Sequence, residues 1–227
     1  MANGLDGIIN INGSSVQTLE IIYLMTLLSL LPTAVVMMTS FTRYIVSLSF
    51  LRTAMGTQQT PPNMILVGLA LFLTLFTMSP VINEIGDQAF GPYTDGTITQ
   101  EEFFDRAQVP LKRFMLLNTE ATSLSTFCGL GQISVPSTVE EGIERLPLRV
   151  IIPAFATSEL KKAFEIGLYL YIPFLLVDVV VSTTLMSMGM IMLPPSMIST
   201  PFKLLLFITL DGWELLFTTL VRGYSYS

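Results

Sequence analysis

The sequence predicts an all-α, membrane-associated protein, built as apolar helical hairpins on either side of a hydrated, helical middle region. Three observations predict it. Of the 227 residues, 51% are apolar and only 12% charged, with a mean hydropathy of +0.65, whereas soluble domains carry roughly 25% charge. Residues 84–165 hold 12 acids and 7 bases, so 19 of the 28 charges sit in the middle and nine are left for the other 145 residues. Apolar residues recur at three-to-four spacing, and strand-like alternation is confined to a few residues from Arg149 to Ile152.

The first 20 residues, with Asn3, Asp6, Asn10 and Asn12, show neither a basic n-region nor an apolar h-region. No signal peptide is expected there, and a leader already removed fits an amino terminus on the outer side. Residues 21–42 then run uncharged for 22 positions. As a helix they reach about 33 Å, enough to cross a bilayer core. Arg43 and Arg52 are the sole charges before a second apolar run, residues 63–79, which lies between Pro62 and Pro80. At about 26 Å it is a short span.

In the middle region, Thr99-Gln-Glu-Glu102 has the capping-box form, and Phe104, Ala107, Leu111, Met115 and Asn118 continue it at helical spacing. Pro110 is expected to kink or split that helix. Ser137-Thr-Val-Glu140 opens a second, short helix, and Ser158 with Glu159 reads as an N-cap with an acid in the first turn. Residues 86–96, rich in Gly, Pro and Asp, are expected to form a flexible surface loop. The chain is thus one domain, 1–227, with an apolar hairpin at 18–83, the hydrophilic middle at 84–165 and a second apolar hairpin at 166–222.

That second hairpin is poorly made for lipid. Asp178 interrupts it between residues 166–177 and 179–193, and its last segment, 202–221, carries Lys203, Asp211 and Glu214. An Asp or Lys at mid-span costs about 2.5 to 3.5 kcal/mol, so protein neighbours are expected to cover these charges in an obligate assembly. Arg43, Arg52 and Lys203 put the hairpin tips on the cytoplasmic side and the acidic middle outside, although Arg222 argues the other way.

Several function classes are excluded early. The chain has no histidine and one cysteine, Cys128, which removes histidine-based nucleophile systems, cysteine-cluster metal sites and an intrachain disulfide. No phosphate-binding loop or dinucleotide fingerprint occurs. No catalytic residue, metal or cofactor is therefore expected, and the acidic balance without a basic run argues against nucleic acid.

Three groups of residues stand out. Met186, Met188, Met190, Met192 and Met197 crowd around Gly189, just before Pro194 and Pro195. Flexible thioethers suit a soft seal, and irregular backbone at membrane depth survives only inside protein or along a cavity; lipid-facing or core filler is the plain alternative. Asp178 and Lys203 are each alone in apolar surroundings, so they are expected to pair within one chain or between copies, the alternatives being a proton or ion relay and exposure to water. Glu159, Lys161 and Lys162 fit a solvated helix start or a subunit contact. Asp211 and Glu214, on one helix face around Trp213, read as interface or water-facing groups, and Cys128 as a buried or inert thiol.

Longer motifs carry a resemblance. Met37-Met-Thr-Ser-Phe-Thr-Arg43, Leu51-Arg-Thr-Ala-Met-Gly-Thr-Gln-Gln-Thr-Pro-Pro-Asn63, Ile152-Pro-Ala-Phe-Ala-Thr-Ser-Glu-Leu-Lys161 and Gly189-Met-Ile-Met-Leu-Pro-Pro195 closely resemble the FliP family of flagellar type III export proteins, from about Thr18 to Leu220. The stretch 56–63 is more similar to the flagellar branch than to virulence relatives. The resemblance implies several copies assembling with FliQ and FliR into a helical cone, next to FlhA and FlhB, in the inner membrane at the flagellar basal body. Unfolded flagellar subunits are then the cargo, and further copies of the chain and membrane lipid its surroundings. It implies apolar helices held largely above the membrane plane and a cleavable leader in most members. The family's methionine gasket falls on Met190, Ile191 and Met192, supported by Met186, Met188, Gly189, Pro194 and Pro195. Ile191 departs from an all-methionine loop and is stiffer. Glu159, Asp178 and Lys203 fall on charged positions that serve assembly or export. The rivals from other classes are a small-solute or ion transporter using Asp178 and Lys203, and a passive scaffold for basal-body assembly.

Overall fold

The computed structural model describes residues 9–11, 14–16, 18–57, 59–190 and 192–226. Apart from one small hairpin the regular structure of the described residues is helical. Strands β1 (Ile9–Ile11) and β2 (Ser14–Val16) pair antiparallel, with Ile9 opposite Val16 and Ile11 opposite Ser14. With most of α1 (Thr18–Met38) they form a first unit that ends at Met37. Among the residues of Ile21–Met38 whose side chains are described none is buried, and Tyr23, Met25 and Leu28 are all exposed. So long an apolar helix finds its free-energy minimum only against lipid or other protein.

Residues 38–227 form the second unit. Its helices are α2 (Phe41–Ala54), α3 (Asn63–Ile85), α4 (Gly91–Thr94), α5 (Gln100–Asn118), α6 (Ala121–Leu130), α7 (Val139–Arg145), α8 (Leu148–Ser187), α9 (Pro195–Thr209) and α10 (Gly212–Arg222). Helix α8 is the spine: 40 residues, about 60 Å at 1.5 Å per residue. Arg43 meets Glu159, and eight residues further along α8 a Cβ on Gly167 would lie 2.5 Å from the ring of Phe50. An advance of seven residues along α2 against eight along α8, in the same chain direction, means that the two helices run parallel. Gly167 sets how closely they approach, and Phe50 fills the space edge-on to Phe164, with ring centroids 5.0 Å apart. Leu48, Leu66, Phe114, Ile151, Phe155 and Leu220 carry this packing into a core shared by α2, α3, α5, α8 and α10.

The capping box at Thr99 is present: Thr99 Oγ1 accepts from the Glu102 N–H at 3.3 Å, and Glu102 Oε2 accepts from the Thr99 N–H at 2.9 Å. Other local expectations need correction. Helix α5 is not split at Pro110, whose buried ring belongs to the packing; burial outweighs a local cost of about 3 kcal/mol. Residues 86–94 are a π-helical turn (Gly86–Phe90) and α4 rather than a loop. The second cap sits one residue later than expected, on Thr138, whose Oγ1 accepts from the Glu141 N–H at 3.2 Å. Ser158 is no N-cap, and residues 149–152 are helical, because α8 passes through both. It also passes without a break from residue 165 to 166.

Asp211 and Glu214 do not share a helix. The chain breaks between α9 and α10, which are bent by 64°, and Asp211 takes a left-handed conformation with φ +48°. A Cβ at Gly212 would fall 2.2 Å from the Phe207 ring, so glycine alone lets α10 fold back there. Among the described residues three helices are long and apolar enough to cross a membrane, or four if the bent pair counts as one span.

Candidate functional site

The methionine segment sits between two hard helix stops. At the end of α8, Gly189 has φ +75°; its N–H donates to Met186 O, and the Met190 N–H donates to Leu185 O, both at 3.0 Å. This is a Schellman motif, and its left-handed position favours glycine. On the other side Pro194 precedes Pro195 at the first position of α9, where a missing N–H costs nothing. Among the described residues between the stops, Met192 is 97% exposed and Met190 and Leu193 less so; Met186, Met188 and Met197, which flank the stops, are exposed as well. Ile191 lies outside the described residues. Such an apolar tip is unfavourable in water and calls for a partner surface.

Asp178 and Lys203 meet within one chain. Lys203 Nζ donates to Asp178 Oδ2 at 2.7 Å and to Ala54 O at 3.1 Å, while Ser199 Oγ donates to Asp178 Oδ1 at 2.6 Å. Lys203 is buried and Asp178 is 44% exposed. The ammonium therefore also caps the carboxyl end of α2, where the backbone dipoles are negative and Gly56 closes another Schellman turn. Asp178 lies nine residues before the end of α8, so this pair ties α9 to α8 about 14 Å below the methionine segment. Lys203→Met is expected to lower stability by about 1.5 to 3 kcal/mol, the value of a hydrogen bond to a charged group, read as a lower melting temperature in detergent. Asp178→Lys is expected to block assembly and the added Lys203→Asp to restore part of it; a double variant no better than either single change contradicts direct pairing.

The deepest ionic group differs from the expectation. Glu159 does not start a solvated helix; it is fully buried inside α8 against Arg43, a residue expected at a hairpin tip on the cytoplasmic side. Arg43 presents a fork: Nε donates to Glu159 Oε2 at 2.9 Å, and Nη2 bonds Oε1. Arg43 Nη1 donates to Gly223 O at 2.9 Å, and the guanidinium lies 3.7 Å over the Tyr224 ring, whose hydroxyl donates to Glu159 Oε2 at 2.5 Å. Burial and the facing carboxylate push the Tyr224 phenol well above its ordinary pKa, and burial pushes Tyr44 up to about 12. Both phenols therefore stay protonated through the physiological range, and Tyr224 keeps its proton for the bond to Glu159. The readable signal was phase: Glu159 continues the stripe Ile151, Phe155, Ala163, Gly167 at four-residue spacing, all on the buried face.

Lys161 and Lys162 stay at the rim. Lys161 Nζ donates to Glu120 Oε2 at 2.6 Å, and Lys162 Nζ caps α5 through Asn118 O at 2.7 Å. The bond from Lys161 holds the Glu120 carboxyl below the usual range. Its small contribution is thus present above that range and is lost as pH falls. Cys128 is buried, as expected, and among the described residues no group of acids or cysteine is placed to hold a metal. Between α8 and α9 runs an apolar groove of about 580 Å³, walled by Leu176, Val180, Ile198 and Phe202; it holds no titratable group.

The FliP family model matches residues 24–220 of this sequence. The chain belongs to the FliP family. Curated relatives agree: it is 49% identical to the flagellar biosynthetic protein FliP of Aquifex aeolicus over 213 residues, 94% of this chain and 88% of the relative. The Pectobacterium carotovorum FliP is 50% identical over 92% of this chain and 79% of its own length, and that of Bacillus subtilis 45% identical over 92% of each. The FliP match covers Arg43, Glu159, Asp178, Lys203 and the whole methionine segment.

Proposed function

We propose that this chain is a pore-wall subunit of the flagellar type III protein export gate, passing unfolded flagellar subunits across the inner membrane. The family supports a part in flagellar biosynthesis and export, and the apolar helices fit the inner membrane. Further copies of the chain, with FliQ and FliR, complete the wall, FlhA and FlhB lie nearby, and the middle region faces the extracytoplasmic side of the basal body. At rest Met190, Ile191 and Met192 of each copy close the passage as a compliant plug. The observation that carries this reading is the outward apolar tip held between Gly189 and Pro194. Rigid helix ends present it, and flexible side chains allow it to seal and reopen.

Energy for transport comes from elsewhere, and the chain does no covalent chemistry. A solute carrier working through Asp178 and Lys203 receives less support, because both groups spend their hydrogen bonds on each other, Ser199 and Ala54. Locking the loops tests the proposal. Met192→Cys in a Cys128→Ala chain, oxidised in cells, is expected to stop filament-subunit secretion, and reductant to restore it. Secretion that continues through cross-linked loops favours the scaffold reading instead.

A further inference from the structure

The four described residues after α10, 223–226, do something that none of the helices requires. Past Arg222 the chain leaves helical geometry, yet Tyr224 is among the buried residues. Its ring stacks on Phe114 with centroids 5.7 Å apart and meets Tyr44 edge-on at 5.8 Å, beneath the Arg43 guanidinium. The backbone on either side is also read. Gly223 O accepts from Arg43 Nη1, and a Cβ at Gly223 would crowd that atom at 3.1 Å. Asn118 then exchanges two hydrogen bonds with Ser225: Oδ1 accepts from the Ser225 N–H at 3.0 Å, and Nδ2 donates to Ser225 O at 2.9 Å. A side-chain amide offers the same donor and acceptor pair as a peptide unit, so Asn118 holds Ser225 as a neighbouring strand would. Asn118 is buried, and a further bond from Nδ2 to Phe114 O fixes its orientation.

We infer that residues 223–226 are a strap docked as a peptide ligand in a slot of its own chain, with Asn118 clamping the Ser225 backbone, Phe114 stacking on Tyr224 while Tyr44 meets it edge-on, and Arg43 with Glu159 reading Gly223 and the Tyr224 hydroxyl. The slot selects a small residue followed by a hydroxylated aromatic. Its walls come from α2, α5 and α8, so the strap anchors the far end of α9 and α10, whose near end is held by Asp178 and Lys203. The methionine segment is thereby carried on a hairpin tied at two places. This inference stands on the local contacts alone and holds whether or not the chain lines a pore.

Amide hydrogen exchange on the full chain in detergent tests it at Ser225, whose N–H has no helical acceptor. The Ser225 amide is expected to be protected. Asn118→Ala and Tyr224→Phe are each expected to speed its exchange by about tenfold or more, the change that loss of a well-placed hydrogen bond gives to local opening, with α3 unaffected. Unprotected exchange in the native chain, or rates indifferent to both substitutions, overturns the inference. A chain ending at Arg222 supplies the second arm. The peptide Gly-Tyr-Ser-Tyr-Ser is expected to raise its melting temperature saturably and a scrambled peptide to leave it unchanged. Equal effects of the two peptides on that chain count against sequence-specific docking.

Discussion

Arg43→Ala lowers the stability of the folded chain by about 3 to 5 kcal/mol, the cost of leaving one member of a buried ion pair alone. Glu159 is fully buried, so its carboxylate keeps only the Tyr224 hydroxyl, and Gly223 O loses its donor as well. Replacing both charges by leucine is expected to recover much of the loss, because the desolvation penalty disappears with the pair. Denaturant melts of the two single variants and the double variant in detergent measure this. A double variant as unstable as the sum of the singles contradicts it.

Gly167→Leu gives the second large effect. The Cβ alone would overlap the Phe50 ring at 2.5 Å, and the added carbons force α2 away from the spine, where overpacking costs about 1 to 3 kcal/mol or more. The same displacement strains the Arg43 fork and draws Ala54 O away from Lys203, since both lie on α2. Gly167→Ala with Phe50→Ala is expected to be less destabilised than the sum of the two changes, as the methyl then enters vacated space. The coupling energy from thermal melts checks it, and strict additivity of the two changes rejects the close approach.

What could be read from the sequence was whatever depends on near neighbours or on composition. The helical class, the apolar runs and the box at Thr99 follow from spacing and cap chemistry, and a meeting of Asp178 with Lys203 follows from the cost of a lone charge in apolar surroundings. The pairing of Arg43 with Glu159 spans 116 positions, and no local rule joins them; each taken alone looks like a solvated charge. Tertiary burial likewise overrode the breaker signal of Pro110 and the capping signal of Ser158. At Asp211 the left-handed turn depends on Phe207 reaching Gly212, a contact invisible to periodicity, so two acids three apart read wrongly as one face. The loop expected at 86–96 is mostly helix because its residues continue α3 through a π-helical turn and then pass into α4.

Ion conductance of the purified assembly in planar bilayers, with and without Met190, Ile191 and Met192, bears most directly on the claim that these side chains plug a passage between copies. The account predicts a silent native complex and a steady leak of small ions once the three residues are removed. Equal conductance in the two preparations contradicts it.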